Sequence, residues 1–226
     1  GLGDVYKRQG GICLNWGCIP TKALLRAAEL KHNVSNLSEF GIEIEGSINI
    51  NLKNVVARSR KVAERLSIGV SHLMKKNKVT VIDGVAKIQN KIADGWQIAV
   101  EGKTNYLLEA PNILLATGAR PREISGMEAD GDKIVTYRDA MIPKKIPKSL
   151  LVVGSGAIGI EFASFYNDMG VDVTVVEAMD RILNVEDREI SDIAHKSFEK
   201  RGIKIYTSAT LESISKSKNE VTSTII

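Results

Sequence analysis

The sequence is poor in cysteine, in aromatic residues and in long apolar runs, and each shortage removes a class of protein. Two cysteines in 226 residues cannot build the disulfide framework of a secreted domain. Two Trp, five Tyr and four Phe are too few and too scattered for a base-stacking platform. Lys and Arg number 31 against 27 Asp and Glu, a net charge of +4 spread without a basic block. That balance gives no case for nucleic acid or for a membrane surface. The longest near-apolar stretch, 150–160, has 11 residues including three glycines and a serine, too short to cross a bilayer. Residues 1–9 lack the apolar core of a signal peptide, so the expected compartment is a reducing cytoplasm. No solenoid-length repeat or low-complexity tract occurs.

What is present is ordinary globular composition, 43% apolar and 26% charged, long enough for one large or two small domains. Residues 1–9, GLGDVYKRQ, carry no periodicity and are set aside as a non-native tail. Ala23, Leu24, Ala27, Ala28 and Leu30 keep helical spacing over 20–33. A second helix is expected over 51–76 from Leu52, Val55, Val56, Val62, Leu66, Val70, Leu73 and Met74. Short runs at 79–82, 85–88, 96–100 and 106–109 then alternate with Gly-containing turns and read as an antiparallel meander. Residues 113–116 read as a compact strand stopped at Thr117-Gly118, and Pro121, Pro143 and Pro147 mark a linker over 122–147.

From 148 the texture is strand (150–153), helix (157–169), strand (171–177), helix (186–201), strand (203–206). That order predicts an α/β fold with a parallel sheet. The expected division is therefore a first domain over 10–121 and a second over 148–226.

Gly154-Ser155-Gly156-Ala157-Ile158-Gly159 is a complete GxGxxG between that first strand and helix. Gly154 permits the tight turn, Gly156 lets backbone approach a pyrophosphate, and Gly159 lets helix pack on strand. The helix start supplies unpaired N–H groups and a positive dipole end to phosphates. Glu177, 23 residues after Gly154, stands where a carboxylate accepts a ribose 2′-hydroxyl and repels a 2′-phosphate, favouring NAD over NADP. Arg181 is the nearby cation that could instead hold a 2′-phosphate; its plainer reading is a solvated loop charge. The plainer reading of the glycines is a tight turn and nothing more, but strand, helix, second strand and terminal Glu in register weigh against it.

Cys13 and Cys18 lie five residues apart in GGICLNWGCIPTK. In an ideal helix that separation is roughly 8–9 Å between Cα atoms, beyond the disulfide range of about 7 Å. A bond therefore needs a break, which Gly17 and Pro20 suit. At a helix start the dipole favours a thiolate over a thiol. Two buried reduced cysteines, or half of a metal site, are the alternatives on spacing alone. No further Cys-His set completes a zinc site, so no metal is expected.

GGICLNWGCIPTKALL resembles the redox-active segment of the pyridine nucleotide–disulfide oxidoreductases, and among them the dihydrolipoamide dehydrogenases. ILLATGARP is similar to the segment closing their flavin domain, and the likeness resumes in LLVVGSGAIGIEFASFY and VVEAMDRIL. It implies a truncated FAD-binding Rossmann-like domain with a β-meander, followed by an NAD-binding Rossmann domain. By that resemblance Cys13 is the interchange thiol and Cys18 the charge-transfer thiol at the flavin. Lys22 is the flavin-side lysine and Glu161 the glutamate that pairs with it. Without the resemblance, Lys22 reads as a solvated charge and Glu161 as a helix-dipole partner. Gly84 and Thr117, Gly118 and Ala119 resemble flavin contacts, and Leu211 an apolar contact to the NAD adenosine.

The implied reaction oxidises protein-bound dihydrolipoamide through a Cys13–Cys18 disulfide, FAD and NAD. The implied partners are lipoyl domains of 2-oxoacid dehydrogenase or glycine cleavage complexes and, in a full-length parent, a second copy in a homodimer. The resemblance also implies a fragment. The family's first GxGxxG, its later Gly-Asp segment and its interface domain with a His-Glu pair have no counterpart here. His32, His72 and His195 read as surface histidines, and the isolated chain is expected neither to hold FAD tightly nor to turn over. NADP-dependent glutathione-type reductases, mercuric reductases and a non-catalytic NAD-binding module are the competing readings.

Overall fold

The computed structural model describes residues 9–218 and 220–226. The expected 1–9 tail thus falls, apart from Gln9, outside the described residues. In chain order the elements are α1 (Gly11–Trp16), α2 (Cys18–Ser35), a 3-10 turn at Leu37–Phe40, α3 (Leu52–Lys76), β1 (Val85–Ile92), β2 (Gly95–Glu101) and β3 (Tyr106–Ala110). There follow α4 (Tyr137–Met141), β4 (Ser149–Val153), α5 (Ala157–Asp168), β5 (Asp172–Val176), α6 (Arg188–Lys200), β6 (Lys204–Tyr206), β7 (Leu211–Lys216) and β8 (Val221–Ile225). The chain divides into two compact units, one of the described residues to Asn15 with Glu64–Arg120, the other of Trp16–Ala63 with Pro121–Ile226.

The second unit holds the α/β layer. β4, β5 and β6 form a parallel sheet in that order, with Val152 opposite Val175 and Val175 opposite Ile205. α5 is the crossover from β4 to β5, and its Phe162, Ala163, Phe165 and Tyr166 are buried against Val173 and Val175. Leu24 and Ala28 of α2 join the same core, because residues four apart lie on one face of a helix. Lys31 Nζ reaches the Asp168 carbonyl at 2.6 Å, and Arg201 grips the Asp168 carboxylate through both oxygens at 2.5 and 2.6 Å.

Three findings in this unit lie beyond the sequence reading. The segment 122–147, read as linker, contains α4, whose Met141 is fully buried and whose Ala140 carbonyl accepts from the Tyr166 hydroxyl at 2.8 Å. The Asp139 carboxylate closes the helix start by accepting from the Thr136 N–H and hydroxyl, each at 3.0 Å. β7 and β8 pair as an antiparallel hairpin.

In the first unit β1, β2 and β3 form the expected meander. Gly95, at φ +151°, turns the chain where a Cβ would lie 2.3 Å from the Ala110 carbonyl oxygen. The expected strands at 79–82 and 113–116 do not form: both stretches are irregular, and Val79, Val81, Leu114 and Leu115 are exposed. A strand exists only by hydrogen bonding to a neighbour, and among the described residues neither stretch has one. No helix among the described residues is long and apolar enough to cross a membrane.

Candidate functional site

The cysteine segment is built as two consecutive helices with a break between the thiols. Gly10 and Gly11, at φ +110° and +66°, bend the chain into α1. Asn15, buried, donates through Nδ2 to the carbonyls of Gln9 and Gly11 at 3.2 and 3.0 Å. α1 ends at Trp16, Gly17 departs from helical geometry at φ −140° and ψ −126°, and Cys18 opens α2. The interruption between the two helices therefore falls at Gly17. Thr21 secures the restart, its hydroxyl donating to the Gly17 carbonyl at 2.7 Å. Both cysteines are exposed and carry thiols, with no disulfide joining them, which sets aside the alternative of buried structural cysteines.

Trp16, which sequence reading passed over, carries the Arg60 guanidinium 4.2 Å from its ring centre and that of Arg138 at 5.9 Å. Such stacking is worth about 0.5–2 kcal/mol and ties the residue between the cysteines to α3 and α4. Thr117, Gly118 and Ala119 lie in the irregular stretch after the meander. Gly118 has φ +82°, and a Cβ there would touch Ile12 of α1 at 3.9 Å.

The glycine loop joins β4 to α5. Gly154 takes φ +93°, a conformation open to glycine, and donates to the Val176 carbonyl at 2.8 Å. A Cβ on Gly159 would lie 2.1 Å from the Gly154 oxygen and 3.3 Å from Val152 Cγ1, so helix and strand meet there at backbone distance. A Cβ on Gly156 would meet nothing within 4 Å. The first position fits close packing and the second fits backbone access for a ligand, which are the two demands of a pyrophosphate cradle. The N–H groups of Ala157 and Ile158, in the first turn of α5, lie where a helix start has no acceptor of its own and offers donors to an anion.

Glu177 lies just past β5 and turns back onto the loop. Its Oε2 accepts from the Ser155 N–H at 2.7 Å and hydroxyl at 2.6 Å, and its Oε1 from the Met179 N–H at 2.9 Å. Partial burial alone would raise its pKa. The hydrogen bonds from the Ser155 hydroxyl and from the N–H groups of Met179, Ser155 and Ala178 together outweigh that and hold it below the ordinary glutamate value. Arg181 is engaged elsewhere: Nη2 donates to the Asn184 carbonyl at 2.9 Å, and Nη1 lies 3.5 Å from Asp180.

The structure also brings Lys22 and Glu161 together. Lys22 follows Cys18 by one turn of α2, Glu161 lies in the early turns of α5, and the two side chains form an ion pair. Gly84 lies at the start of the meander, where a Cβ would lie 2.6 Å from the Glu101 carbonyl oxygen. Leu211 opens β7 opposite Ile225.

The pyridine nucleotide-disulphide oxidoreductase family pattern matches residues 3–226. This chain belongs to that family. It is 50% identical to the dihydrolipoyl dehydrogenase of Rhizobium etli over 96% of this chain and 47% of the relative. It is 41% identical to a Bacillus subtilis dihydrolipoyl dehydrogenase over 90% of this chain and 44% of the relative. The crystal structure of LpdA from Mycobacterium tuberculosis superposes with a TM-score of 0.87 at 28% identity, over 97% of this chain and 48% of that one. The HOCl-induced flavoprotein disulfide reductase RclA of Escherichia coli gives a TM-score of 0.75 at 27% identity, over 96% of this chain and 45% of that one. The chain thus spans about half the length of the relatives it matches.

Proposed function

We propose that this chain carries the dithiol and pyridine-nucleotide portions of an FAD-dependent dihydrolipoyl dehydrogenase. The observation that carries the reading is the Lys22–Glu161 ion pair. It couples the helix that begins at Cys18 to the helix that begins at the glycine loop, so thiol chemistry and nucleotide binding are mechanically linked. The dihydrolipoyl dehydrogenases of Rhizobium etli and Bacillus subtilis, similar over this stretch, support the substrate.

In the proposed cycle a substrate thiolate attacks Cys13 Sγ of a Cys13–Cys18 disulfide, and Cys18 leaves as the thiolate. The second substrate thiolate then attacks the substrate sulfur of the mixed disulfide and releases Cys13. Dihydrolipoamide gives up two electrons and two protons, and the cysteine pair takes up both electrons. FAD, when bound, supplies the conversion between dithiol and hydride chemistry. Lys22, Thr117, Gly118 and Ala119 are the residues that would hold it, Lys22 being oriented by Glu161. Gly154 to Gly159 would hold the NAD pyrophosphate and Glu177 the ribose, leaving NAD with two electrons and one proton and the solvent with the other. The partners under this reading are lipoyl domains of a 2-oxoacid dehydrogenase or glycine cleavage complex, and a second copy of the complete protein, in the cytoplasm.

The test is the visible spectrum of the complete protein during titration with dihydrolipoamide, followed by NAD or NADP. The expected result is a yellow flavoprotein developing a long-wavelength thiolate–flavin band, with NADH formed in preference to NADPH. A flavin unmoved by dihydrolipoamide but bleached by NADPH would transfer the protein to the glutathione-type or mercuric reductases. A protein that binds nucleotide but no flavin would be the non-catalytic module.

A further inference from the structure

The second position of GxGxxG carries no side-chain requirement from phosphate binding itself, yet here it is occupied by a side chain in a specific contact. Ser155 is 1% exposed, and both its hydroxyl and its N–H donate to one oxygen of Glu177, at 2.6 and 2.7 Å. The backbone at each end is pinned. The Leu183 N–H donates to the Ser155 carbonyl at 3.1 Å, the Glu177 N–H to Tyr206 at 2.8 Å, and the Ala209 N–H to Glu177 at 3.0 Å. The hydroxyl is therefore the donor that a side-chain change can remove while the frame stays in place.

We propose that Ser155 is the positioning residue for nucleotide selectivity: its hydroxyl fixes the Glu177 carboxylate beside the glycine loop before the nucleotide arrives, so that NADH is bound in preference to NADPH. The inference rests on the reading of the loop as a dinucleotide site. An ionised carboxylate only accepts hydrogen bonds. It therefore receives a ribose hydroxyl well and repels a 2′-phosphate, which carries about two negative charges. A glutamate held only by the Ser155 and Met179 N–H groups would be less fully ordered before binding, and completing that ordering is a loss equivalent to a few-fold and up to about tenfold in affinity. The buried hydroxyl removes that loss in advance. Arg181, held by Asn184 and Asp180, leaves Glu177 as the residue at this end of the loop that discriminates.

The experiment is calorimetric binding of NADH and NADPH to the complete protein carrying Ser155→Ala, Ser155→Gly, Glu177→Ala and the double change Ser155→Ala with Glu177→Ala. Glu177→Ala is expected to narrow the NADH preference most. Ser155→Ala and Ser155→Gly are each expected to weaken NADH about three- to tenfold and to leave NADPH within about twofold. In the Glu177→Ala background Ser155→Ala is expected to change nothing further. A second readout is the carbon-13 resonance of the Glu177 carboxyl, expected to titrate at higher pH in Ser155→Ala than in the parent. If Glu177→Ala changes the preference while both Ser155 variants leave the preference and the titration unmoved, the proposal is overturned. It is equally overturned if Ser155→Ala has its full effect without Glu177. If Glu177→Ala leaves the preference unchanged, or the protein binds neither nucleotide, the dinucleotide reading fails and the proposal with it.

Discussion

Residues 113–116, Ile-Leu-Leu-Ala, and 150–153, Leu-Leu-Val-Val, read almost identically as short buried strands. The second run lies within β4, paired along its length with β5. The first is irregular, with Leu114 and Leu115 90% and 72% exposed. The difference lies in what accompanies each run. β4 is followed within one crossover by α5 and β5, so its backbone groups and its apolar side chains both find partners locally. Among the described residues no strand pairs with 113–116. An apolar run states a readiness to be buried; the partner strand decides whether burial happens.

The contrast is tested most severely where burial is complete. Phe165 of α5 is fully buried against the sheet, and Phe165→Ala is expected to cost about 3–5 kcal/mol in chemical denaturation followed by circular dichroism. A cost below about 1 kcal/mol would show that this layer is not the stabilising core. The two loop glycines sharpen the point by separating packing from binding. Gly159→Ala places a Cβ against the Gly154 backbone and is expected to cost about 1–3 kcal/mol along with nucleotide binding. Gly156→Ala fills open space and is expected to abolish binding while leaving stability within about 0.5 kcal/mol. Equal stability losses in the two variants would break the distinction.

A smaller effect follows from the carboxylate beside that loop. Because the folded state holds Glu177 below the ordinary value, its stabilising contribution is present above the unfolded-state pKa. It is lost as the pH falls through the folded-state pKa. Stability is therefore expected to decline more steeply on acidification in the parent than in Glu177→Gln, measured by denaturation across the carboxylate range. Identical slopes would show that the Ser155 and Met179 hydrogen bonds do not stabilise the ionised form.

The parts legible in the sequence are those whose signals are local. The strand–helix–strand order of the second unit shows in a change of hydrophobic period punctuated by Gly170 and Gly202, both of which take positive φ. The break at Gly17 is signalled locally by the glycine just before Cys18 and the proline just after it. The pair Lys22–Glu161 joins residues 139 apart, and no spacing rule reaches that far; only the family resemblance brought them into one expectation. Trp16 with Arg60 was missed for the same reason. α4 was missed differently: its Thr136-x-x-Asp139 start was present, but three nearby prolines pointed to a linker. The two strands that failed to form were errors of the opposite kind, local signals without the long-range partner.

That last kind of error has its own test. Leu114 sits in the run that sequence reading marks as buried, yet 90% of its surface is exposed. Exchange for a polar residue therefore removes almost no apolar contact and leaves no cavity, the two terms that make core substitutions costly. Leu114→Asn in this chain is expected to change stability by no more than about 0.5 kcal/mol. Val152→Asn, in the 150–153 run and packed against the core, is expected to cost several times that by burying an amide without a partner. Measured side by side, the pair isolates the partner strand as the variable. If Leu114→Asn proves as costly as Val152→Asn, residues 113–116 are buried after all, and the contrast between the two runs disappears.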